Sequence, residues 1–292
     1  MWKSLYPFAS HWHDLGAVRQ HYVDEGQGKP LLMVHGNPTW SFYYRNLIQA
    51  FRGSHRTIAP DHIGCGLSDK PQDYPYTLRQ HTDNLVRLIE KLDLRQITLA
   101  VHDWGGAIGL GAAVARPERF ERLVLFNTGA FPPPFVPWRI AACRTPLLGP
   151  LAVRGLNLFA RAALHMAVER RLPRDVAAGL TAPYDSWSNR VAIMRFVQDI
   201  PFTPRHPTWK VLEELEQQLP TLAHLPTMMA WGMRDWCFRP ECLDRLLKSF
   251  PNAQAHRIMD AGHYVVEDAH SMIVQLLTSF LAVEPSEASP AG

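Results

Sequence analysis

The segment Ile97-Thr98-Leu99-Ala100-Val101-His102-Asp103-Trp104-Gly105-Gly106-Ala107-Ile108-Gly109-Leu110-Gly111-Ala112-Ala113 decides the fold. Its first part is a short apolar run, the pattern of a buried strand. Its last part is rich in small residues and reads as a helix. A sharp turn joins the two and exposes one side chain at the top of the sheet. Here that residue is Asp103, followed by Trp104 and two glycines. A carboxylate in this position attacks carbon and forms an ester on the enzyme, so its substrates differ from those of a serine nucleophile.

Outward from this turn, short strands alternate with helical stretches. Upstream, residues 21–26 read as an edge strand and residues 30–36 as a fully apolar buried strand closed by glycine. Helical spacing follows over 40–51, a strand over 57–61, and a second helical stretch over 77–92. Downstream, the helix after the turn runs to about Ala115, and 122–127 is the next strand. This alternation predicts an α/β fold with a mostly parallel, doubly wound sheet flanked by helices.

At Phe131 the pattern breaks. Phe131-Pro132-Pro133-Pro134-Phe135-Val136-Pro137-Trp138 cannot continue a helix, because proline lacks the donor and clashes with the preceding turn. Helical segments with proline-marked joints then run to about Leu219, and strand patterning resumes over 227–232. The expected organisation is a core of residues 1–131 and 221–283, a helical cap over 132–220, and a disordered tail over 284–292.

Composition excludes several classes. With 292 residues, 47% hydrophobic and 20% charged, the chain is globular rather than disordered. A net charge of +3 is too small and scattered for a nucleic-acid surface. Cys65, Cys143, Cys237 and Cys242 lack metal spacing and fit a reduced, cytoplasmic protein. No apolar run has the length of a signal h-region or a membrane span. No metal or cofactor motif is present.

An aspartate nucleophile needs a base, and the base needs a partner that orients it. In the chain order nucleophile, acid, histidine, His263 of Asp260-Ala261-Gly262-His263 takes the last place, after a strand over 255–259. Asp235 takes the middle place, on the loop after the 227–232 strand. A turn aspartate or a lone histidine is usually bland. Three such residues at three ordered positions, each after an apolar strand, point to a triad of Asp103, Asp235 and His263. His102 is expected on the opposite side of its strand, and His35 as a structural residue of its loop.

A second cluster, His35-Gly36-Asn37-Pro38-Thr39-Trp40, follows the strand expected beside the turn strand. Backbone N–H groups from this loop and from the residue after the nucleophile form the oxyanion hole in this arrangement. Those residues are Asn37 and Trp104, and both also carry side-chain N–H donors. An indole N–H and an amide N–H beside a carboxylate nucleophile suit a leaving anion.

These motifs, with Asp61-His62-Ile63-Gly64-Cys65-Gly66-Leu67-Ser68-Asp69-Lys70-Pro71, resemble the haloalkane dehalogenase family of α/β-hydrolases over nearly the whole chain, which implies a mostly parallel, eight-stranded sheet flanked by helices with an inserted helical cap. The resemblance implies Asp103 as nucleophile, His263 as base, and Asn37 with Trp104 as the anion-holding pair. One large subgroup takes its acid from a glutamate after the strand that here ends at Asn127. This chain has Leu125-Phe126-Asn127-Thr128-Gly129 there, which leaves Asp235 as the acid, the pattern of the third subgroup.

Within that subgroup, the chain is similar to the β-lactone decarboxylases of long-chain olefin biosynthesis. The likeness lies in Asn127-Thr128-Gly129-Ala130-Phe131-Pro132, Pro183-Tyr184-Asp185-Ser186-Trp187-Ser188-Asn189-Arg190, Arg195-Phe196-Val197-Gln198-Asp199-Ile200-Pro201 and Asp260-Ala261-Gly262-His263-Tyr264-Val265-Val266-Glu267-Asp268. It implies conversion of a cis-3,4-dialkyl-oxetan-2-one to a cis-alkene and carbon dioxide. Asp103 would attack either the oxygen-bearing ring carbon or the lactone carbonyl, and both routes stay open at this point. Haloalkane dehalogenase is the first alternative. An epoxide hydrolase is more remote, because the cap offers only Tyr184 as a tyrosine donor. A non-catalytic receptor on the same fold is opposed by the intact triad.

Two alkyl chains need an apolar wall, for which the cap offers Leu147, Leu148, Leu151, Leu156, Leu158, Phe159, Leu164 and Met166. From Arg122 to Val168 no acidic residue occurs, while Arg139, Arg144, Arg154 and Arg161 are present. A basic, apolar face of this kind suits contact with a membrane surface or with another enzyme of olefin biosynthesis.

Overall fold

The computed structural model describes residues 2–283. Eight strands form one sheet: β1 (Ser10–Asp14), β2 (Arg19–Glu25), β3 (Pro30–Val34), β4 (Arg56–Pro60), β5 (Ile97–Asp103), β6 (Phe120–Thr128), β7 (Thr227–Gly232) and β8 (Gln254–Ile258). Their spatial order is β1-β2-β4-β3-β5-β6-β7-β8. Strand β2 pairs antiparallel with both neighbours, and every pair from β4 to β8 is parallel.

The order reverses at β3. From β3 the chain passes outward to β4, then returns to place β5 on the other side of β3. Loops leaving β3 and β5 therefore diverge and open a crevice at the carboxyl ends of the strands. Asn37 lies on the first loop and Asp103 ends the second strand.

Strand residues alternate between the two faces, as a period of two requires. Leu32, Val34, Leu99 and Val101 pack on one side, and Leu31, Met33 and Ala100 on the other. The first face is covered by α2 (Leu78–Lys91) and α3 (Trp104–Ala115), and the second by α1 (Arg45–Phe51). Each fully buried leucine or valine contributes about 1.5–3 kcal/mol of transfer free energy, so both layers are held mainly by apolar burial. In the stretch read as helical over 40–51, a tight 3-10 turn, Ser41–Tyr44, precedes α1.

Two outer strands differ from the sequence reading. The segment read as the edge strand, now β2, lies inside the sheet, and the edge is β1, Ser10-His11-Trp12-His13-Asp14. Strand β1 has no apolar run; only His13 is buried. Its strand state comes from backbone pairing to β2, with Trp12 opposite His21.

Between β6 and β7 the described chain is helical, with helices at Trp138–Ala142, Leu158–Met166, Arg174–Thr181, Val191–Asp199 and Pro207–Gln218. A short turn, Leu148–Pro150, runs into a π-helical turn, Leu151–Gly155. The tail expected over 284–292 lies outside the described residues.

Candidate active site

Asp103 closes β5 in an unusual conformation, with φ 52° and ψ −128°. A non-glycine residue at positive φ is strained by roughly 1–3 kcal/mol and persists only where its surroundings hold it. Here the Thr128 hydroxyl donates to the Asp103 carbonyl, and the Asn37 backbone N–H donates to Asp103 Oδ1 at 2.6 Å. Glycine is required around the turn by close approach. A Cβ at Gly36 would land on the Asp103 carboxylate, and one at Gly106 would land on the Thr128 hydroxyl.

The three sequence-predicted polar residues come together. His263 Nε2 lies 3.7 Å from Asp103 Oδ2, and His263 Nδ1 lies 2.8 Å from Asp235 Oδ2. All three are buried. The Asp235 contact directs the Nδ1 proton to the carboxylate and leaves Nε2 facing Asp103. Burial pushes the Asp103 carboxyl above its ordinary range; His263 and the Trp104 and Asn37 backbone N–H groups oppose this only in part. Burial alone would lower the His263 imidazole, but Asp235 and then Asp103 outweigh it and raise it.

Asn37 and Trp104 line the same cavity as Asp103 and His263. The Asn37 backbone N–H donates to the Asp103 carboxylate itself. One of the two backbone donors expected to form an oxyanion hole is therefore already engaged by the nucleophile. The side-chain pair is free to meet an anion in the cavity. The Trp104 indole N–H has no protein acceptor among the described residues, and the Asn37 amide makes one long bond, 3.3 Å, to the Ile193 carbonyl.

Asn127 is the site residue whose role the sequence reading missed. It is fully buried at the end of β6. Its amide donates to Asp235 Oδ2 and to the Gly232 carbonyl, each at 3.0 Å, and its oxygen accepts from the Gly232 N–H at 2.7 Å. Its place at the carboxyl end of the strand beside the nucleophile strand was the available signal. His102, as expected, stays out of the cavity: its Nε2–H donates to the His263 carbonyl at 2.8 Å and supports that loop from below. His35 is structural as expected, with Nδ1 on the Gly36 carbonyl and Nε2 accepting from the His62 N–H.

The cavity measures about 530 Å³. Its walls are apolar, with Phe131, Phe135, Ile140, Val153, Phe159 and Phe238 among them. Of the cap leucines expected to line it, Leu158 does so, with Phe159 and Met166. Leu147, Leu148, Leu151 and Leu156 instead point to the surface, and Leu164 is half-buried outside the cavity lining. The wall they were expected to form comes from the proline-rich segment after β6 and from Trp236 and Phe238 after β7.

An α/β hydrolase fold profile matches residues 29–146. The chain is 43% identical to the cis-3-alkyl-4-alkyloxetan-2-one decarboxylase of Shewanella oneidensis over 96% of this chain and 91% of the other. It is also 43% identical to the protein of that name from Xanthomonas campestris, over 92% of this chain and 94% of the other. Identity to haloalkane dehalogenase 2 of Mycobacterium tuberculosis is 35%, over 92% and 93% of the two chains. Among solved structures, the haloalkane dehalogenase DatA of Agrobacterium tumefaciens superposes with a TM-score of 0.86 at 25% identity, covering 94% of this chain and 96% of the other. Fold, site geometry and full-length similarity agree, and the chain belongs to the haloalkane dehalogenase-like family of α/β-hydrolases, in which its similarity to the oxetanone decarboxylases exceeds that to the mycobacterial dehalogenase.

Proposed function

We propose that this protein is a lyase that converts a cis-3-alkyl-4-alkyl-oxetan-2-one to a cis-alkene and carbon dioxide in long-chain olefin biosynthesis, with Asp103 as nucleophile. The observation that carries the reaction is the 43% identity to two decarboxylases of that name over nearly the full chain. Residues 132–220 act as the cap over the core. The substrate is an apolar small molecule with alkyl chains, matched by the apolar walls of the cavity.

Engagement of the Asn37 backbone N–H by Asp103 favours one of the two routes. A tetrahedral oxyanion from carbonyl attack would find that donor taken. In the favoured route, Asp103 Oδ2 attacks the ring carbon that bears oxygen. That carbon–oxygen bond breaks, and its electron pair leaves with the ring carboxylate. The side-chain N–H groups of Asn37 and Trp104 hold this carboxylate. The bond from this carboxylate to the neighbouring carbon of the opened chain then breaks and releases carbon dioxide; its electron pair forms the carbon–carbon double bond as the ester carbon–oxygen bond breaks and returns Asp103 as a carboxylate. Inversion at the attacked carbon followed by anti elimination preserves the cis relation.

His263 and Asp235 act on Asp103. The imidazole pairs with the carboxylate, and Asp235 fixes its tautomer. No water enters the balanced reaction, whereas a dehalogenase needs His263 to activate water against its alkyl ester. Turnover of a cis-β-lactone by a His263→Ala variant in isotopically labelled water tests this division. Alkene without incorporated label is expected from the wild type. Alcohol carrying the label would replace decarboxylation by hydrolysis. The first alternative is tested by offering 1,2-dibromoethane beside the lactone: halide release without alkene formation would overturn the proposal.

None of the described helices is long and apolar enough to cross a membrane. We place the protein in the cytoplasm, with its cap resting on a membrane surface or on another enzyme of olefin biosynthesis. The support is the acid-free, arginine-bearing composition of residues 122–168.

A further inference from the structure

The cap carries an apolar surface that the reaction does not use. Leu147 is 87% exposed, Trp138 73%, Leu148 67% and Leu151 55%. Leu147 caps the short turn that holds Leu148, and Leu151 opens the π-helical turn that follows, while Gly149 and Val153 of the two turns are buried. Beyond it Leu151 and the exposed Trp187 flank Gly155. Keeping such leucines in water forfeits the stabilisation that burial would bring, so an exposed cluster points to contact with an apolar phase or partner.

Charge selects the occupant. No acidic residue occurs from Arg122 to Val168. Arg139 lies over Trp138 and Trp236, Arg144 over Phe202, and Arg154 over Trp187. None of these arginines, nor Arg161, forms an ion pair among the described residues, where eleven of the twenty other arginines do. Tryptophan and arginine together at the margin of exposed leucines suit the headgroup layer of a bilayer, where rings and cations share an amphipathic zone. Each arginine near an anionic surface strengthens partitioning on the order of fivefold.

The cavity itself reaches the cap surface. Trp138, Arg139, Leu158 and Met166 both line the cavity and are exposed at the surface. We infer that the cap face formed by Trp138, Leu147, Leu148 and Leu151 docks on an anionic lipid bilayer and presents the cavity mouth to it. A dialkyl substrate would then pass between acyl chains and cavity without crossing water, and the alkene would return the same way. This passage rests on the decarboxylase reading; docking itself does not.

The test is co-sedimentation of the full chain with vesicles of phosphatidylcholine, alone and with added phosphatidylglycerol. Wild type is expected to sediment with the anionic vesicles and to lose that binding as salt rises. Leu147→Ser/Leu148→Ser/Leu151→Ser, whose side chains lie outside the cavity, should weaken partitioning on the order of a hundredfold. Arg144→Gln/Arg161→Gln should weaken the preference for phosphatidylglycerol by about 25-fold. Circular dichroism and a thermal melt establish that each variant is folded, and turnover of a short, water-dispersed β-lactone should stay at the wild-type level in the leucine variant. Absence of that turnover from the wild type would strike the decarboxylase reading, while vesicle binding would still decide the docking. Wild type left in the supernatant, or a leucine variant that binds like wild type, would overturn it. So would a wild-type oligomer that the leucine variant dissolves in sedimentation velocity, because the face would then be a protein interface.

Discussion

Asn127 donates its side-chain N–H to Asp235 Oδ2 at 3.0 Å, and the same oxygen receives His263 Nδ1 at 2.8 Å. One carboxylate oxygen is thus clamped between an amide and an imidazole, while the other accepts the Cys237 N–H at 2.6 Å. In the subgroup with the glutamate after β6, the acid itself would stand near Asn127. Here an amide at that place orients an acid supplied by the next strand.

Asn127→Ala removes this clamp and also leaves the Gly232 N–H and carbonyl without their side-chain partners. Buried polar groups left unpaired cost about 1–3 kcal/mol each, so the thermal midpoint should fall. Misplacement of the acid by a fraction of an ångström should lower kcat by about ten- to a hundredfold. Substrate KM should change little, because Asn127 does not line the cavity. Steady-state kinetics and a melt check both. A wild-type kcat in a destabilised variant would reduce Asn127 to a structural residue.

Gly36→Ala tests how tightly the nucleophile is held. The added Cβ would occupy the position of the Asp103 carboxylate, and the displaced side chain would lose its bond from the Asn37 N–H. Activity should drop by about a hundredfold or more, as expected when a reacting group moves by about an ångström. A crystal structure of the variant should show the Asp103 carboxylate rotated away from His263. Unchanged turnover would mean that the loop yields at little cost.

The core strands are legible because their burial is two-sided. Strands β3, β5, β6 and β7 read as continuous apolar runs, since helices cover both faces of a parallel sheet. Strand β1 carries no such signal, because an edge strand with one buried side chain is held by backbone pairing alone. Asp103 and Asp235 are legible from chain order after two such strands, and His263 from its place after β8, an edge strand that is mostly half-buried or exposed. Asn127 is not, because its meaning depends on which strand end lies beside which, and sequence order does not give that. The cap leucines mislead for a related reason. In short helical turns without a sheet to face, an apolar side chain can point to the cavity, as Leu158 does, or to the surface, as Leu147 does.

Asp268 joins the bend that follows the Leu158–Met166 helix to the loop that carries His263. Its buried carboxylate accepts from the backbone N–H groups of Gly262 at 2.8 Å, Glu169 at 3.0 Å and Arg170 at 3.1 Å. Asp268→Ala strands three donors, and at about 1–3 kcal/mol for each the melt should fall by several degrees. Asp268→Asn keeps one acceptor oxygen and should recover part of the loss. Because Gly262 adjoins His263, kcat should follow the same order, with Asn between wild type and Ala. Equal melts for the two variants would show that the charge, rather than the acceptor count, holds the joint.

The two pKa shifts at the nucleophile set opposite demands on stability and activity. Burial raises the Asp103 carboxyl, so the folded value lies above the unfolded one. Such a group contributes stability that is fully present below the unfolded pKa and is lost as pH rises through the folded pKa. At neutral pH the ionised nucleophile therefore weighs against the fold, and Asp103→Asn should melt higher than wild type while making no alkene. The gap should close as pH falls towards about 4, where the unfolded carboxyl also takes up its proton. His263 is raised as well, because Asp235 and Asp103 outweigh burial. Its stabilisation is complete below about pH 6.5 and disappears as pH rises through its folded value. For activity, the proposed route needs Asp103 ionised but no water activated by neutral His263. Alkene formation should rise with pH through the raised Asp103 range, then stay flat through the His263 titration. A pH profile of kcat/KM on a β-lactone reads this directly. A further rise across the His263 titration would return the imidazole to the role of general base.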